Sequence, residues 1–350
     1  MRLLIINFAM DENDPALAWQ CDVADGLAEH CQSVVVLTHR PGHFRPRPNL
    51  EVRSFSSRPF GVPSRAGGQW LHNFSIWRLC RNRKIDACFI HMAHEWAYRL
   101  APALKWTRTP SLLWYAHGSV TNSLKRAHRC VDGIVTSTPE GFRIPSKKLR
   151  TIGQGINLQR FAPPPPAANK NDVLYVGRIS RRKRLGSLIE SMQCLRRIQP
   201  ESNIRLKIVG PTLTPDDQDY ERELRQRATV CAPDTCFLGP HKQNDISALY
   251  RSAFLHLNVS QTGSLDKTIL ESLACGCPVL TSNPASFDLL SEYPELQLGE
   301  VSPQVIATRI LKLHARRDAY DPQSLRQLVA KHHDLDSYVQ KIVSTLRELS

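Results

Sequence analysis

Two stretches of the sequence carry residue types that bind phosphate. The first is GSLDKTILESLACGCPVLT, residues 263–281, whose apolar residues from 269 to 274 recur at helical spacing. They predict a short helix that begins near Asp266 and Lys267. A helix N-terminus offers free backbone N–H groups and the positive end of the helix dipole, and Lys267 adds a full charge. We therefore expect an anion such as phosphate to bind at this helix start.

The second stretch is DVLYVGRISRRKRLGSLIESM, residues 172–192. Its apolar run predicts a strand that ends at Gly177, and a helical pattern begins near Leu185. Arg178 and Lys183 lie on the turn between them, and two cations on a strand-to-helix turn suit a diphosphate. The alternative for the basic run 181–184 is a solvated surface, which is the usual role of a charge run.

Several motifs in the C-terminal half give the chain a recognisable pattern. With them it resembles a retaining glycosyltransferase of the GT-B fold, of the family 4 type (glycosyl transferases group 1). The motifs that carry the resemblance are the run around Arg178 and Lys183, Ile208-Val209-Gly210, Phe237-Leu238-Gly239, the run ESLACGCPV from Glu271, and the junction-like GQGINLQRF from Gly153.

The resemblance implies an α/β fold with two Rossmann-like domains that face a central cleft. We place the N-terminal, acceptor-side domain at residues 1–162 and the C-terminal, donor domain at 163–333, because the proline-rich connector PPPPAANKN begins at residue 163. Residues 334–350 read as an amphipathic helix. By the resemblance, this terminal helix crosses back onto the N-terminal domain.

The resemblance also implies an activity. The protein is expected to be a hexosyltransferase-type enzyme that moves a sugar from a nucleotide-sugar donor, a UDP- or GDP-sugar, to a saccharide or lipid-linked acceptor in glycan or polysaccharide biosynthesis. Such a transfer develops negative charge on the departing diphosphate, so it needs positive groups at that place. Arg178 and Lys183 match the family positions for this role, and no metal is expected.

Further site residues follow from the same resemblance. His117 follows a strand predicted at residues 112–117, where the family histidine touches the donor sugar or its phosphate. Glu271 matches the second Glu of the family's Glu-x7-Glu motif and is expected to bind the ribose hydroxyls. The remaining residues expected at the donor are Gly177, Gly263, Ser264, Leu265, Asp266, Lys267 and Thr268.

The chain departs from the family motif at one position. The first Glu of the motif would fall at residue 263, which is glycine here. That carboxylate normally contacts the transferred sugar. Either Asp266 takes part of its place, or backbone amides of residues 263–266 hold the sugar.

The N-terminal half alternates strands and helices but lacks a dinucleotide fingerprint. Strands are predicted at residues 3–8, 34–37, 50–55 and 86–91, and the loop MDENDP after the first strand contains no glycine, which argues against NAD binding. His91 and His94 lie at a spacing that a metal could use, yet no cluster of ligands accompanies them. We expect them to line the acceptor side or to be exposed.

Composition limits the partners. A formal net charge of +14 calls for an acidic partner, which could be nucleic acid, an anionic membrane surface or a phosphorylated small molecule. Ten cysteines without a CxxC pair indicate neither a disulfide framework nor a zinc knuckle, so a reducing cytoplasm fits best. The apolar start is too short to span a membrane and reads as a strand.

The segment QWLHNFSIWRLCRNRK, residues 69–84, allows two interpretations. Trp70, Phe74 and Trp77 lie beside four cations, Arg78, Arg81, Arg83 and Lys84, so the helix could lie on an anionic membrane. This would make the protein peripheral on the cytoplasmic face of a membrane. Alternatively, the segment is a connecting helix with its aromatic side buried against the sheet.

Two other function classes stay open. A sugar-nucleotide epimerase of the same fold would need acid and base groups near the sugar, and few carboxylates are available there. A non-catalytic basic binding protein, for example for nucleic acid, is suggested by charge alone, but the sequence has no aromatic RNA-binding signature. We therefore expect no nucleic-acid partner.

Overall fold

The computed structural model describes residues 1–55, 68–163, 171–260 and 263–350, except for the side chains of residues 68–71. The side chain of Trp70 and most of the proline-rich connector therefore lie outside the described residues. The chain divides into two compact units, Met1–Gly155 with Leu335–Ser350, and Ile156–Asp334. The first boundary thus falls a few residues before the predicted one, which was placed after residue 162. In the described parts no helix has the length and apolar character needed to cross a membrane.

The first unit is built on a sheet of seven parallel strands. The strands are β1 (Arg2–Met10), β2 (Ser33–Pro41), β3 (Leu50–Ser54), β4 (Ala87–His91), β5 (Ser111–Trp114), β6 (Gly133–Thr136) and β7 (Leu149–Thr151). Their order in the sheet is β3-β2-β1-β4-β5-β6-β7. The helices between them are α1 (Trp19–His30), α2 (Gly68–Arg83), α3 (His94–Arg99), α4 (Ala101–Trp106) and α5 (Asn122–Cys130).

Both faces of this sheet are covered. Successive residues of a strand point to opposite faces, so Leu4 and Ile6 pack on α2 and α3 while Leu3 and Ile5 pack on α1. A parallel sheet buried on both faces needs strands that are apolar throughout, which is why β1 reads RLLIINFAM without alternation.

The second unit is built on a smaller parallel sheet. Its strands are β8 (Asp172–Val176), β9 (Arg205–Val209), β10 (Cys236–Gly239), β11 (Ala253–Asn258) and β12 (Val279–Thr281), in the order β10-β9-β8-β11-β12. Its helices are α6 (Leu185–Ile198), α7 (Pro215–Cys231), α8 (Gln243–Ser252), α9 (Lys267–Ala274), α10 (Pro303–Ala315) and α11 (Pro322–His333). One continuous apolar core joins them.

The last helix, α12 (Leu335–Leu349), belongs to the first unit. Tyr338, Val339, Ile342, Val343 and Leu346 are buried in the same core cluster as the residues of α1. The methyl groups of Val339 reach Gly26 of α1, where an added Cβ would lie 2.9 Å from the Val339 Cγ2. The small residue at position 26 therefore allows the two helices to pack closely.

Each sheet has a point where the strand order reverses. In the first sheet the chain builds β1, β2 and β3 in one direction and then β4 to β7 in the other, so the reversal lies between β1 and β4. In the second sheet it lies between β8 and β11. Open parallel sheets bind ligands outside the carboxyl ends of the two strands at such a reversal. In the second unit we therefore expect a ligand to bind near the residues that follow β8 and β11.

Candidate functional site

Most of the predicted donor residues meet at the reversal point of the second sheet. Gly177 and Arg178 follow β8 directly, and Lys183 ends the short 3-10 turn Arg181–Lys183 before α6. On the neighbouring strand, β11 is followed by the loop that leads to α9, which begins at Lys267 with Asp266 as its N-cap. The structure thus brings residues from two separate stretches of sequence to one edge of the sheet.

The centre of this site is an ion pair between Lys183 and Asp266. The Lys183 Nζ donates to Asp266 Oδ2 at 2.8 Å and to Ser260 Oγ at 3.2 Å. Asn258 Nδ2 donates to the same Asp266 oxygen at 3.0 Å. The side chains of Lys183 and Asp266 are only 19% and 15% exposed. The predicted phosphate-binding lysine therefore already faces a carboxylate of its own chain.

The charge state of Asp266 follows from its partners. Burial tends to raise the pKa of its carboxyl, but the Lys183 charge and the hydrogen bonds from Lys183, Asn258 and Ser260 outweigh burial, so the pKa is lowered. Asp266 is thus an anion held at a helix N-terminus and by a lysine. The protein's own carboxylate occupies the kind of environment that the sequence predicted for a phosphate.

A buried histidine lies behind this ion pair. His256 on β11 is fully buried, its ring packs edge-on against Tyr250 with centroids 5.3 Å apart, and neither ring nitrogen has a hydrogen-bond partner among the described residues. Burial lowers its pKa to about 3, with Asp266 opposing the shift and Lys183 adding to it. The imidazole is therefore neutral at physiological pH. Sequence reasoning missed His256, whose only signal was a histidine inside an apolar strand.

Arg178 is paired as well. Its Nε and a terminal nitrogen donate to Asp217 Oδ2 at 2.8 and 2.7 Å. Asp217 lies in the capping box of α7 and also accepts the N–H groups of Leu213 and Thr214. The Arg178 side chain stays 42% exposed, so its guanidinium can still meet a ligand. Asp217 was also missed from sequence, because it lies 39 residues away from its partner.

The other predicted donor residues lie in the loop before α9 and in the helix itself. Ser264, Leu265 and Glu271 are buried. The Ser264 carbonyl accepts from Asn283 Nδ2 at 2.8 Å, and the Thr268 carbonyl accepts from the Tyr250 hydroxyl at 3.2 Å. These bonds fix the backbone of the loop before α9 and of the first turn of the helix. The loop amides are candidates for binding a sugar.

At two positions of this edge the backbone conformation or a close backbone contact requires glycine. Gly263, at the position where the resemblance implies a Glu, has φ of 67°, a conformation that any side chain would strain. Gly210 ends β9 at φ of 144°, and a Cβ there would lie 2.0 Å from the carbonyl oxygen of Gly177. The ends of β8 and β9 can approach this closely only because residue 210 has no side chain.

His117 lies in the other unit, three residues after β5. Its backbone N–H donates to the Gly141 carbonyl at 2.9 Å, and its Nδ1 accepts from the Ser119 backbone N–H at 3.1 Å. Because Nδ1 accepts, the neutral ring carries its proton on Nε2. The side chain is half-buried.

The sequence singled out two further histidines of this unit, His91 and His94, as lining the acceptor side or exposed. His91 is buried, with its ring edge-on to Trp19 and Trp114, so it is not exposed. His94 Nε2 lies 3.1 Å from Ser123 Oγ. Within the described ranges no group of three or more His, Cys, Asp or Glu side chains is arranged to hold a metal ion.

Helix α2 separates two basic surfaces. Ile76, Leu79 and Cys80 pack on the sheet, Trp77 is half-buried against the same core, and Phe74 is exposed, so the aromatic side is only partly buried. The four cations of the segment also divide. Arg78 and Arg83 line a groove beside β3, while Arg81 and Lys84 line a depression on the other side together with Trp77 and Trp106.

The second of these surfaces contains an aromatic row. The rings of Phe74 and Trp77 stack at 5.6 Å, Trp106 follows at 5.8 Å, and the Arg81 guanidinium lies 5.4 Å from the Trp77 ring centre. Trp106 is 78% exposed. We call Phe74, Trp77, Arg81, Lys84 and Trp106 the aromatic-basic face. Trp106 was missed from sequence because it lies on α4, outside the periodic segment.

Comparison with known proteins places the chain in a structural class. Its fold matches the Anabaena protein HepE in complex with UDP at a TM-score of 0.79 and 17% identity, covering 99% of this chain and 100% of that one. It also matches a sucrose-phosphate synthase of Thermosynechococcus elongatus at a TM-score of 0.76 and 16% identity, covering 100% of this chain and 99% of the other. The predicted α/β, GT-B fold is thus confirmed.

The sequence comparison adds the family of one domain. Residues 159–289 match glycosyl transferases group 1. A mannosylfructose-phosphate synthase of Agrobacterium fabrum is 22% identical in an alignment of 174 residues that covers 44% of this chain. The alignment covers 38% of that relative's length. The predicted resemblance to the GT-B glycosyltransferases is confirmed at the level of fold and of this domain, which contains Arg178, Lys183 and α9.

Proposed function

We propose that the protein is a nucleotide-sugar-dependent glycosyltransferase with its donor site at the carboxyl ends of β8 and β11. The observation that carries this proposal is the convergence of Arg178, Lys183 and the start of α9 at the reversal point of the second sheet. That is where open parallel sheets bind ligands. The domain match and the UDP in the HepE structure support the same assignment.

The chemistry at this site would be stabilisation of a leaving diphosphate. Arg178 is exposed enough to donate two hydrogen bonds to a phosphate while Asp217 holds it. Lys183 would have to share its charge between Asp266 and the donor. We therefore propose that Asp266 sets the position of Lys183, and that the α9 loop amides bind the transferred sugar in place of the carboxylate missing at Gly263. Glu271 would bind the ribose, and His117 would contact the donor sugar or its phosphate, as the family resemblance implies.

Two finer features belong to the same proposal. Transfer proceeds with retention of the anomeric configuration, as the family resemblance implies. It needs no metal ion, since cationic side chains supply the charge that a metal would otherwise provide. A sugar-nucleotide epimerase would need a pair of acid and base groups. At the described start of α9 the carboxylates are Asp266, which is paired with Lys183, and the buried Glu271, and this favours transfer.

Donor binding can be tested by thermal stabilisation and slow hydrolysis with UDP-, GDP- and ADP-sugars. A ligand that binds the native state raises the melting temperature, by an amount equivalent to about 2.7 kcal/mol at 100 times its Kd. Because one HepE structure contains UDP-glucose, that sugar is the first to try. We expect stabilisation and hydrolysis that persist in EDTA. Loss of hydrolysis in EDTA with recovery in Mn²⁺ would refute metal independence, and stabilisation by no nucleotide sugar would refute the proposed function.

We further propose that the acceptor is lipid-linked and that the aromatic-basic face docks on an anionic membrane. An exposed tryptophan beside Arg and Lys is typical of membrane interfaces, and each nearby cation is worth about 1 kcal/mol on an anionic surface. The 78% exposure of Trp106 supports this part of the proposal, because a large aromatic ring gains most by leaving water. The docking would make the protein peripheral.

The docking test compares two pairs of substitutions on one helix. Sedimentation with phosphatidylserine vesicles should fall with rising salt, and the pair Arg81→Gln and Lys84→Gln, or Trp106→Ala, should weaken it strongly. The pair Arg78→Gln and Arg83→Gln is the matched control, with the same charge loss on the other side of α2. Equal loss for both pairs would point to net charge alone. Comparable binding to RNA or DNA would favour the nucleic-acid alternative.

A further inference from the structure

The groove on the other side of α2 has the dimensions of a ligand site. It runs between α2 and the sheet-edge strand β3 and has a volume of about 500 Å³, within the ordinary range for small-molecule pockets. Its lining reaches from His72 to Arg83 on α2. At about 1.5 Å of rise per residue this is about 16 Å of helix, so the groove is elongated.

The charges in the groove are unbalanced. Arg53, Arg78 and Arg83 all line it. Arg53 and Arg83 share one carboxylate, Glu51, at 2.6 and 3.0 Å. Arg78 is exposed and makes no ion pair with any residue that the structure describes. Three guanidinium groups against one carboxylate leave a surplus of positive charge in a concave surface, which focuses the field on an anion.

The end of the groove near the carboxyl end of β3 is aromatic and carries hydrogen-bonding groups. Phe55 directly follows β3 and stacks on Trp96 at 4.3 Å, and His72 lies 6.1 Å from Phe55 and 5.4 Å from Trp96. Asn82 and Ser75 also line the groove. Aromatic faces pack on the apolar faces of sugar rings, while amides, hydroxyls and guanidinium groups bind hydroxyls and carboxylates.

We propose that this groove binds an acidic oligosaccharide, a chain of sugars that carry carboxylates. Arg is the residue best suited to a carboxylate, because its planar fork donates two parallel hydrogen bonds. The aromatic end takes a sugar ring, and the arginines along β3 and α2 take the acidic groups of the following units. That this oligosaccharide is the acceptor rests on the proposed glycosyl transfer, but its binding does not.

The test is equilibrium binding measured by calorimetry, without any nucleotide sugar. The probes are trigalacturonate, maltotriose as a neutral chain of equal length, and monomeric galacturonate. We expect trigalacturonate to bind at least about tenfold more tightly than either of the others, with an affinity that falls as salt rises. Equal binding of maltotriose would overturn the role of charge, and equal binding of the monomer would overturn the elongated site.

Matched variants show whether trigalacturonate binds in the groove. Arg78→Gln alone, at an exposed residue, should weaken trigalacturonate binding, and the pair Arg78→Gln and Arg83→Gln should weaken it by about tenfold or more. The pair Arg81→Gln and Lys84→Gln removes the same charge from the aromatic-basic face and should leave the affinity within about twofold, since those cations lie outside the groove. If the two pairs have the same effect, or if single-stranded RNA competes with equal affinity at the same arginines, the proposal is wrong.

One more variant separates this proposal from the proposed function. Lys183→Ala should lose donor-dependent hydrolysis and keep trigalacturonate binding, while the Arg78→Gln and Arg83→Gln pair should show the reverse. Failure of trigalacturonate to bind overturns the groove assignment alone. Failure of every nucleotide sugar to bind overturns the glycosyltransferase assignment and leaves the groove result as it stands.

Discussion

Lys183 and Arg178 at the donor edge of the second unit each lie against a carboxylate, whereas most of the cations on α2 and just after it in the first unit do not. Lys183 pairs with Asp266 and Arg178 with Asp217, and both acids are largely buried. On α2, only Arg83 has an ion pair with a described residue, and Arg78, Arg81 and the following residue, Lys84, are exposed. The first arrangement fixes side chains in place before a ligand arrives. The second leaves positive charge that a ligand or surface can neutralise.

The strongest test of this contrast is Lys183→Ala. It should reduce transfer by about 100-fold or more, since it removes a cation from a developing diphosphate. It should also lower the free energy of unfolding by about 2–4 kcal/mol, because Asp266 is left buried without its main partner. Turnover and urea unfolding measure the two effects. Asp266→Asn in the same chain should restore stability but not turnover. Unchanged turnover in Lys183→Ala would show that Lys183 does not stabilise the diphosphate.

A smaller effect is expected from His256 as the pH falls. The folded pKa is about 3 against 6.5 for the free side chain, because burial disfavours the charged ring. Between these values the unfolded state binds the extra proton, so protein stability falls as the pH drops below 6.5. The loss is up to about 2 kcal/mol between pH 6.5 and 5. Urea unfolding should show a shallower pH slope for His256→Gln than for the unchanged protein. Equal slopes in the two proteins would contradict the buried, neutral imidazole.

Asp217→Asn should have a still smaller effect. It removes the ion pair with the partly exposed Arg178 and a negative charge from the first turn of α7. Together these are worth about 1 kcal/mol. Asp216→Asn, an exposed residue in the same turn, is the control and should cost less. Thermal unfolding of the two variants measures the difference, and equal losses would show that Arg178 contributes nothing to the position of α7.

The smallest effect is expected on α2. Replacing Arg78, Arg81 and Lys84 with Gln should change the free energy of unfolding by no more than about 0.5 kcal/mol, because exposed cations without ion pairs contribute little to stability. Urea unfolding of the triple variant tests this. A loss of 2 kcal/mol or more would mean that these charges are structural, and the contrast between the two units would no longer hold.

Much of the fold could be predicted from local pattern. The strands predicted at residues 3–8, 34–37 and 50–55 correspond to β1, β2 and β3, and the predicted helix near Leu185 begins at that residue. Apolar runs and helical spacing are local signals, so one sequence suffices to read them. The prediction that Arg178 and Lys183 lie on the turn between β8 and α6 rested on the same local signals.

The partners of these residues could not be predicted, because they depend on which strands become neighbours. Lys183 meets Ser260 and Asp266 only because β11 lies beside β8, although 77 and 83 residues separate them along the chain. In sequence, Asp266 looked like a helix-start residue that could replace a missing carboxylate. In the structure it is the counter-ion of Lys183. Trp106 and Phe55 became part of surfaces with α2 in the same way, through packing between elements that no local period records.

The position of α12 after the second unit in the sequence has a consequence for synthesis. Residues 1–155 emerge from the ribosome first. The face of their sheet beside α1 is covered in part by Tyr338, Val339 and Ile342, which emerge only after all of the second unit. Domains generally fold in the order in which they emerge. Here, however, an apolar part of the first sheet stays exposed to solvent until α12 has been synthesised. The second unit is one continuous segment, Ile156–Asp334, so it can complete its folding before the first unit does. The first unit is therefore the part of the nascent chain most exposed to chaperones and to aggregation.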